Sequence, residues 1–228
     1  MSDSPHVTSV QVGREQALPW RGSEVQTAIV KTPVSGSVAA RADGLEGDEQ
    51  VDRPLHGGAD KALYCYPGEH YERWASLLGT QPPPGGVGEN LTLAGITEQD
   101  VRIGDVFDIG TARVQVSQPR APCFKLTVRW RSKELPVLMA SEGISGWFVR
   151  VLHDGVVTAG DELRPVEQGP GVTVAEVMRV TYGGGRDDAE AIRRILAVDE
   201  LAESWYEALA YTARARGHAI GPSSASAR

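Results

Sequence analysis

The sequence predicts a mainly β body followed by a short helical region. Three observations carry this. The 228 residues include 26 glycines and 14 prolines, the punctuation of many short strands and tight turns, as in a β-rich barrel or sandwich. Between those turns, short runs such as Ala62–Tyr66 and Thr111–Ser117 have the apolar content and alternation of strands. After Gln168-Gly169-Pro170-Gly171 the pattern changes to helix starts and helical spacing.

Taken in order, residues 1–24 are polar and irregular, with a short strand at Val7–Val12. Val25–Val30 reads as a strand that ends at Lys31-Thr32-Pro33, where proline stops regular pairing. Ser37–Arg41 is a second short strand. Ala62–Tyr66 is a buried strand carrying Cys65 between two tyrosines. In Glu69–Leu78, Tyr71, Trp74 and Leu78 share one apolar helical face. Gln81–Gly88 is a loop, and Gly88-Glu89-Asn90 turns into a strand at Leu91. Val106–Ile109, Gly110 and Ala112–Val116 form a hairpin. Lys125–Arg131 fits either strand or short helix, and Lys133–Met139 is weakly helical. Strands follow at Trp147–Val151, after Gly155 and at Leu163–Val166. Thr173-Val174-Ala175-Glu176 is a capping-box pattern opening a helix. Asp187 and Asp199 open two more, the last with Leu201, Trp205 and Leu209 in register. Three such short helices are expected to pack on each other or on the β body.

Composition narrows the function classes. A net charge of −7 argues against a nucleic-acid backbone as the main partner. The two cysteines, Cys65 and Cys123, form no zinc or disulfide pattern. Met1–Val10 has no signal-peptide pattern, and no apolar run approaches membrane-spanning length. The expected setting is the cytoplasm, with no membrane partner.

The strongest chemical signal is Gln118–Leu126, reading Gln-Pro-Arg-Ala-Pro-Cys-Phe-Lys-Leu. Two prolines fix φ and break regular structure. Cys123 sits between Arg120 and Lys125, and nearby cations favour the thiolate, the form that attacks or binds metal. The plainer alternative is a small buried side chain, which is the expectation for Cys65 beside Tyr64 and Tyr66. Lys31 and Thr32 stand at a strand end, where binding groups are displayed. His56-Gly57-Gly58 allows close backbone approach to a ligand, and with Arg53 and Lys61 nearby such a turn can hold an anion. It lacks the Gly-Lys-Ser/Thr ending of a P-loop. Asn90 can read a flat polar heterocycle or serve its own turn.

Lys31-Thr32-Pro33, Gly47-Asp48, His56-Gly57-Gly58-x-Asp60-Lys61-Ala62, Gly88-Glu89-Asn90-Leu91, Ile103-Gly104-Asp105, Gln118-Pro119-Arg120-x-Pro122-Cys123-x-Lys125-Leu126, Gly146-Trp147 and Gly160-Asp161 occur in this order. Each is weak alone. In series they resemble the MOSC domain (molybdenum cofactor sulfurase C-terminal domain), and within it the YiiM-like group, which adds a three-helix C-terminal region. The resemblance implies a β-barrel body over residues 1–168, with its core at about 25–163. It further implies a three-helix subdomain over 172–218; residues 219–228 read as a disordered tail.

The resemblance also implies a molybdenum cofactor of the molybdopterin type, with Cys123 as the protein's ligand to the metal. Thiolate suits a soft centre. Lys31, Thr32, His56, Lys61, Asn90 and Arg120 are the further cofactor-binding candidates, with cations set to meet the pterin's phosphate. The implied activity is reduction of N-hydroxylated compounds, such as 6-hydroxylaminopurine and related base analogues, to the amine and water. No flavin or nicotinamide fingerprint is present, so electrons would come from an external reductase. Asp60, Glu89 and His56 are candidate proton donors, and histidine has the most suitable intrinsic pKa. The alternative, from a different class, is a molybdenum cofactor carrier or sulfur-transfer protein in which Cys123 holds a persulfide or binds the cofactor transiently, tasks its flanking cations suit. A plain interaction module is the third reading.

Overall fold

A computed structural model describes residues 4–51 and 57–218. Thirteen strands occur among them. They are β1 (His6–Val12), β2 (Gln16–Trp20), β3 (Ser23–Thr27), β4 (Thr32–Pro33), β5 (Val38–Arg41), β6 (Gly44–Leu45) and β7 (Leu63–Pro67), then β8 (Leu91–Ala94), β9 (Val106–Ile109), β10 (Ala112–Pro119), β11 (Trp147–His153), β12 (Gly155–Val157) and β13 (Leu163–Glu167). Six α-helices accompany them: α1 (Tyr71–Leu78), α2 (Phe124–Trp130), α3 (Glu134–Glu142), α4 (Val174–Thr181), α5 (Ala189–Leu196) and α6 (Glu203–Ala215). Eight strands form one sheet in the order β13-β9-β10-β11-β7-β8-β1-β4; β12-β5-β6 and β2-β3 form two smaller ones. The β7–β8 pair is parallel and the other pairs are antiparallel.

The large sheet curls toward a barrel without closing its ladder. Its β13 edge meets the start of β1 through the His6–Glu162 bridge and the bond from the Leu163 amide to the Pro5 carbonyl, 2.8 Å. The next amide on that side of β13 would belong to position 165, which is proline and has no N–H to give. The expected β-rich body is therefore present, with an open seam where a closed barrel would be continuous.

β7 shows how one run serves two cores. Leu63 and Cys65 enter the main apolar cluster, whereas Tyr64 and Tyr66 enter a second one with Trp74, Leu126 and Met139. A strand buried on both faces explains its unbroken apolar and aromatic sequence. The main cluster runs from β10 into the C-terminal helices, where Val177, Met178, Ile195 and Trp205 join Val114 and Val116. Those helices thus share a core with the β body.

Several element ends moved for local reasons. The Thr173 hydroxyl caps α4 by accepting from the Glu176 amide at 3.1 Å. Asp188, one residue after the expected Asp187, caps α5 by accepting from the Ala191 amide at 3.0 Å. The third helix starts at Glu203, after the expected Asp199, because the Ala202 amide is held by the Ser117 carbonyl at 3.0 Å. The strand expected over Val25–Val30 ends at Thr27, whose hydroxyl takes the Ile29 amide at 3.0 Å. Residues 16–27, expected to be irregular up to 24, form the β2–β3 hairpin, with Arg21 and Gly22 at positive φ in its turn. Lys125–Arg131, left open by the sequence, lies largely in α2. The tail 219–228 lies outside the described residues.

Candidate functional site

A pocket opens between the β3–β4 connection, the segment after β6 and the Arg120–Lys125 turn. Lys31, Lys61, Asn90, Arg120 and Cys123 all line it, although they come from four separate stretches of sequence. Thr32 is exposed in β4, where it pairs with Val12, and lies outside the lining. His56 lies outside the described residues. Gly57 and Gly58 are described, and Gly58, at φ 98°, leads into the 3₁₀ turn Ala59–Lys61 that carries Lys61.

Lys31 is the most tightly specified cation. Its ammonium donates to both carboxylate oxygens of Asp48, at 2.6 and 2.5 Å, and both side chains are more than nine-tenths buried. Burial pulls the Lys31 pKa down, and the facing Asp48 carboxylate pulls against it. Asp48 also accepts from the Gly13 amide at 2.7 Å and from the Asn90 amide group at 2.8 Å. Two glycines make room for this arrangement. A Cβ at Gly13 would lie 3.0 Å from Lys31 Cγ, and one at Gly85 would lie 2.8 Å from the Lys31 carbonyl oxygen. Sequence reasoning quoted Asp48 only within a turn motif. Its pairing with a lysine 17 residues away leaves no local trace.

Asn90 lines the pocket, but its carboxamide already has protein partners. Its oxygen accepts from the Tyr64 amide at 3.1 Å, while its nitrogen donates to Asp48 and, at 3.4 Å, to the Gln11 carbonyl. The side chain thus ties the starts of β7 and β8 to the Lys31–Asp48 pair.

The chemical turn follows a break in the β10–β11 register between Val116 and Gln118. Such irregularities re-aim side chains beside functional sites. Ser117, Gln118 and Arg120 are all buried beyond it. The Arg120 guanidinium lies 5.0 Å from the centre of the Tyr64 ring and donates to the Ala121 carbonyl at 2.9 Å. Cys123 is 8 % exposed. It is the N-cap residue of α2, with its sulfur accepting from the Lys125 amide at 3.4 Å. Cys65, as expected, is core: 1 % exposed, with burial pushing its thiol up to about 12.

Two of the candidate proton donors are committed elsewhere. Glu89 is fully buried; its carboxylate accepts from the Tyr71 hydroxyl, the Thr92 hydroxyl at 2.9 Å and the Gly85 and Val87 amides at 2.6 and 3.1 Å. Asp60 pairs with Arg150 at 2.8 Å. Neither lines the pocket: Glu89 knots the 85–92 loop and Asp60 braces β11 through Arg150.

The lining is cationic in an acidic chain. Lys31, Lys61, Arg120 and Lys125 face Asp48 and Glu49 among the described lining residues, four positive charges against two negative, while the whole chain carries −7. Among those residues Cys123 is the one sulfur donor, and no three His, Cys, Asp or Glu side chains of the described residues converge as a metal cluster. A lone thiol within a cationic lining fits an anionic organic group that brings most of a soft metal's ligands with it.

The comparisons agree with this architecture. A family model described as the MOSC domain matches residues 52–164, and one described as the YiiM-like 3-alpha helix domain matches residues 172–210. The chain is 40 % identical to YflK of Bacillus subtilis over 87 % of its length and 90 % of that protein. It is 38 % identical to YiiM of Escherichia coli over 86 % and 87 %. A Gibberella moniliformis protein described as a reductase is 34 % identical over 70 % of this chain, which spans only 29 % of that longer protein. The crystal structure of YiiM from Geobacillus stearothermophilus superposes with a TM-score of 0.77 at 36 % identity, covering 91 % of this chain and 98 % of that one. No helix among the described residues is long and apolar enough to cross a membrane. The MOSC match, the helical match behind it and the near full-length similarity to YiiM together place this chain in the YiiM-like MOSC domain family, with a function related to the molybdenum cofactor.

Proposed function

We propose that this protein holds a molybdenum–pterin cofactor in the Cys123 pocket and reduces N-hydroxylated compounds to amines. The observation that carries the reading is the convergence of one thiol with Lys31, Lys61, Arg120 and Lys125 in a single pocket of an acidic chain. The Cys123 sulfur is the metal ligand. The cations bind the pterin's phosphate, as charge-assisted donors do. Asp48 fixes where the Lys31 ammonium sits, and Asn90 fixes Asp48; Asn90 acts by positioning, since its amide is already engaged. Thr32, outside the lining, takes no part in this assignment.

When bound, the cofactor supplies the two-electron removal of oxygen from the N–OH group. The balance is R–NH–OH plus two electrons and two protons, giving R–NH2 and water. His56 is the proposed proton donor, on the strength of its imidazole chemistry and its place before Gly57-Gly58. Electrons come from a separate reductase, and the relative described as a reductase supports a redox setting.

The test is chemical. Protein made in a host that synthesises the cofactor and purified without oxygen should carry near-stoichiometric molybdenum and pterin. With a reduced viologen dye as donor it should convert 6-hydroxylaminopurine to adenine. Absence of the metal would overturn the reading, and a persulfide on Cys123 in such a preparation would favour a sulfur carrier.

A further inference from the structure

A second cleft lies on the other side of the Arg120–Cys123 turn, between the β body and helices α4 and α6. It measures about 330 Å³, at the lower end of the range of small-molecule sites. Arg120, Lys61 and Phe148 line both clefts. Ala121 and Pro122 line this one, whereas Cys123 lines the first. The two are therefore neighbours divided by a single turn of chain.

The chemistry of this cleft differs from that of the Cys123 pocket. Phe148, Tyr182 and Trp205 give it aromatic walls, with the Tyr182 and Trp205 rings edge to face at 6.3 Å. Gln118 lines it and is 2 % exposed. The Gln118 side-chain nitrogen donates to the Pro119 carbonyl at 3.4 Å, and its oxygen has no hydrogen-bond partner. A buried acceptor without a donor is costly and uncommon in a folded protein. Gln118 shares the lining of this cleft with three aromatic residues and two cations.

We infer that this cleft seats the ring of a flat, nitrogen-bearing aromatic substrate, with Gln118 Oε1 accepting from a ring or exocyclic N–H. Phe148, Tyr182 and Trp205 cover the ring, since aromatic faces favour stacked or edge-on partners. The oxygen-bearing end lies toward Arg120 and Lys61, hence toward the Cys123 pocket. Gln118 is thus a specificity residue: it rejects rings that offer no donor there, because they would leave its oxygen buried and unsatisfied. The nature of the reacting end rests on the reductase reading, whereas the ring seat does not.

The test separates the two claims. Binding of adenine, the amine product, is measured by equilibrium dialysis on the full-length protein, and molybdenum content is measured on the same samples. Gln118→Leu should weaken adenine binding about five- to tenfold, the loss of one buried hydrogen bond, and leave metal content unchanged. Ala208→Trp, on the exposed side of α6, should fill the cleft and abolish adenine binding without disturbing the core. In turnover, Gln118→Leu should raise KM for 6-hydroxylaminopurine and leave KM for a small non-aromatic hydroxylamine unchanged. Adenine binding that neither substitution alters would place the ring elsewhere and overturn the inference. So would the absence of adenine binding to wild type, or loss of molybdenum from both variants, which would assign the cleft to the cofactor. A wild-type protein that binds adenine through Gln118 yet holds no metal would keep the ring seat and sink the reductase reading instead.

Discussion

Cys65 and Cys123 have the same side chain and opposite surroundings. Cys65 stands mid-strand in β7, packed in the main core, where burial alone lifts its pKa. Cys123 ends an irregular turn, accepts a backbone N–H and lines a pocket with four cations. Both are mostly buried, at 1 % and 8 % exposure, so exposure does not separate a packing thiol from the thiol proposed as a ligand. What separates them is the set of groups each faces: apolar core for Cys65, a backbone amide and a cationic lining for Cys123.

Substitution should break this comparison most sharply at the metal. Cys123→Ala is expected to lose essentially all bound molybdenum and turnover, while Cys65→Ala keeps both at a modest cost in stability. Elemental analysis of the two variants beside wild type checks this, and equal metal loss would erase the distinction between the thiols.

The next largest effect tests the charge environment around Cys123. Asp48→Ala strands the Lys31 ammonium in a buried site and should cost about 3–5 kcal/mol at neutral pH, read from urea midpoints. Lys31→Met added to it should recover most of that loss. The pH dependence has a definite sign. Burial lowers the Lys31 pKa in the folded state, so below 10.5 the folded protein binds fewer protons than the unfolded one. Stability from this group therefore rises as pH climbs through the folded pKa. The gap between wild type and Asp48→Ala should narrow with rising pH, as Lys31 loses its charge. A gap that widens would contradict the assignment of burial as the leading cause.

Cys65 supplies the opposite slope. Its thiol shifts from 9.0 to about 12 on folding, so between those values the unfolded chain has lost a proton that the folded chain keeps. Stability should fall there by about 1.4 kcal/mol per pH unit. The advantage of wild type over Cys65→Ala should shrink at that rate above pH 9 in denaturant titrations; a parallel pair of curves would show that burial does not hold the proton on.

The smallest expected effect concerns His56. His56→Ala should lower turnover several-fold more than it lowers molybdenum content, with loss of the alkaline limb in the pH profile of kcat. Parallel loss of metal and turnover would make it a cofactor-holding residue only.

Much of this was legible from residue order. Strand positions from Ala62 to Val166 followed from alternation and glycine punctuation, and Thr173 caps α4 through its hydroxyl, although the Glu176 carboxylate goes to Arg194 and not back to the cap. The grouping of Lys31, Lys61, Asn90, Arg120 and Cys123 in one pocket came from family resemblance, since each alone had an ordinary explanation. Three features escaped. The β2–β3 hairpin turns on Arg21 at positive φ, an unusual residue for that role. Asp48 meets Lys31 only through tertiary packing. Glu89 drew notice as an ionisable group near a turn, yet four donors hold it in a structural role; no local pattern distinguishes a saturated carboxylate from a working one.

The turn that separates the two clefts also gives them a common wall. Arg120 lines both and is braced on Tyr64, so its position is common to whatever either cleft holds. A ligand that displaces it on one side changes the affinity on the other, and linkage requires the reverse effect to be equal in size. Substitutions on opposite sides of this turn should then depart from additivity, and a double-mutant cycle between Lys31 and Gln118 would report how strongly the two clefts sense each other.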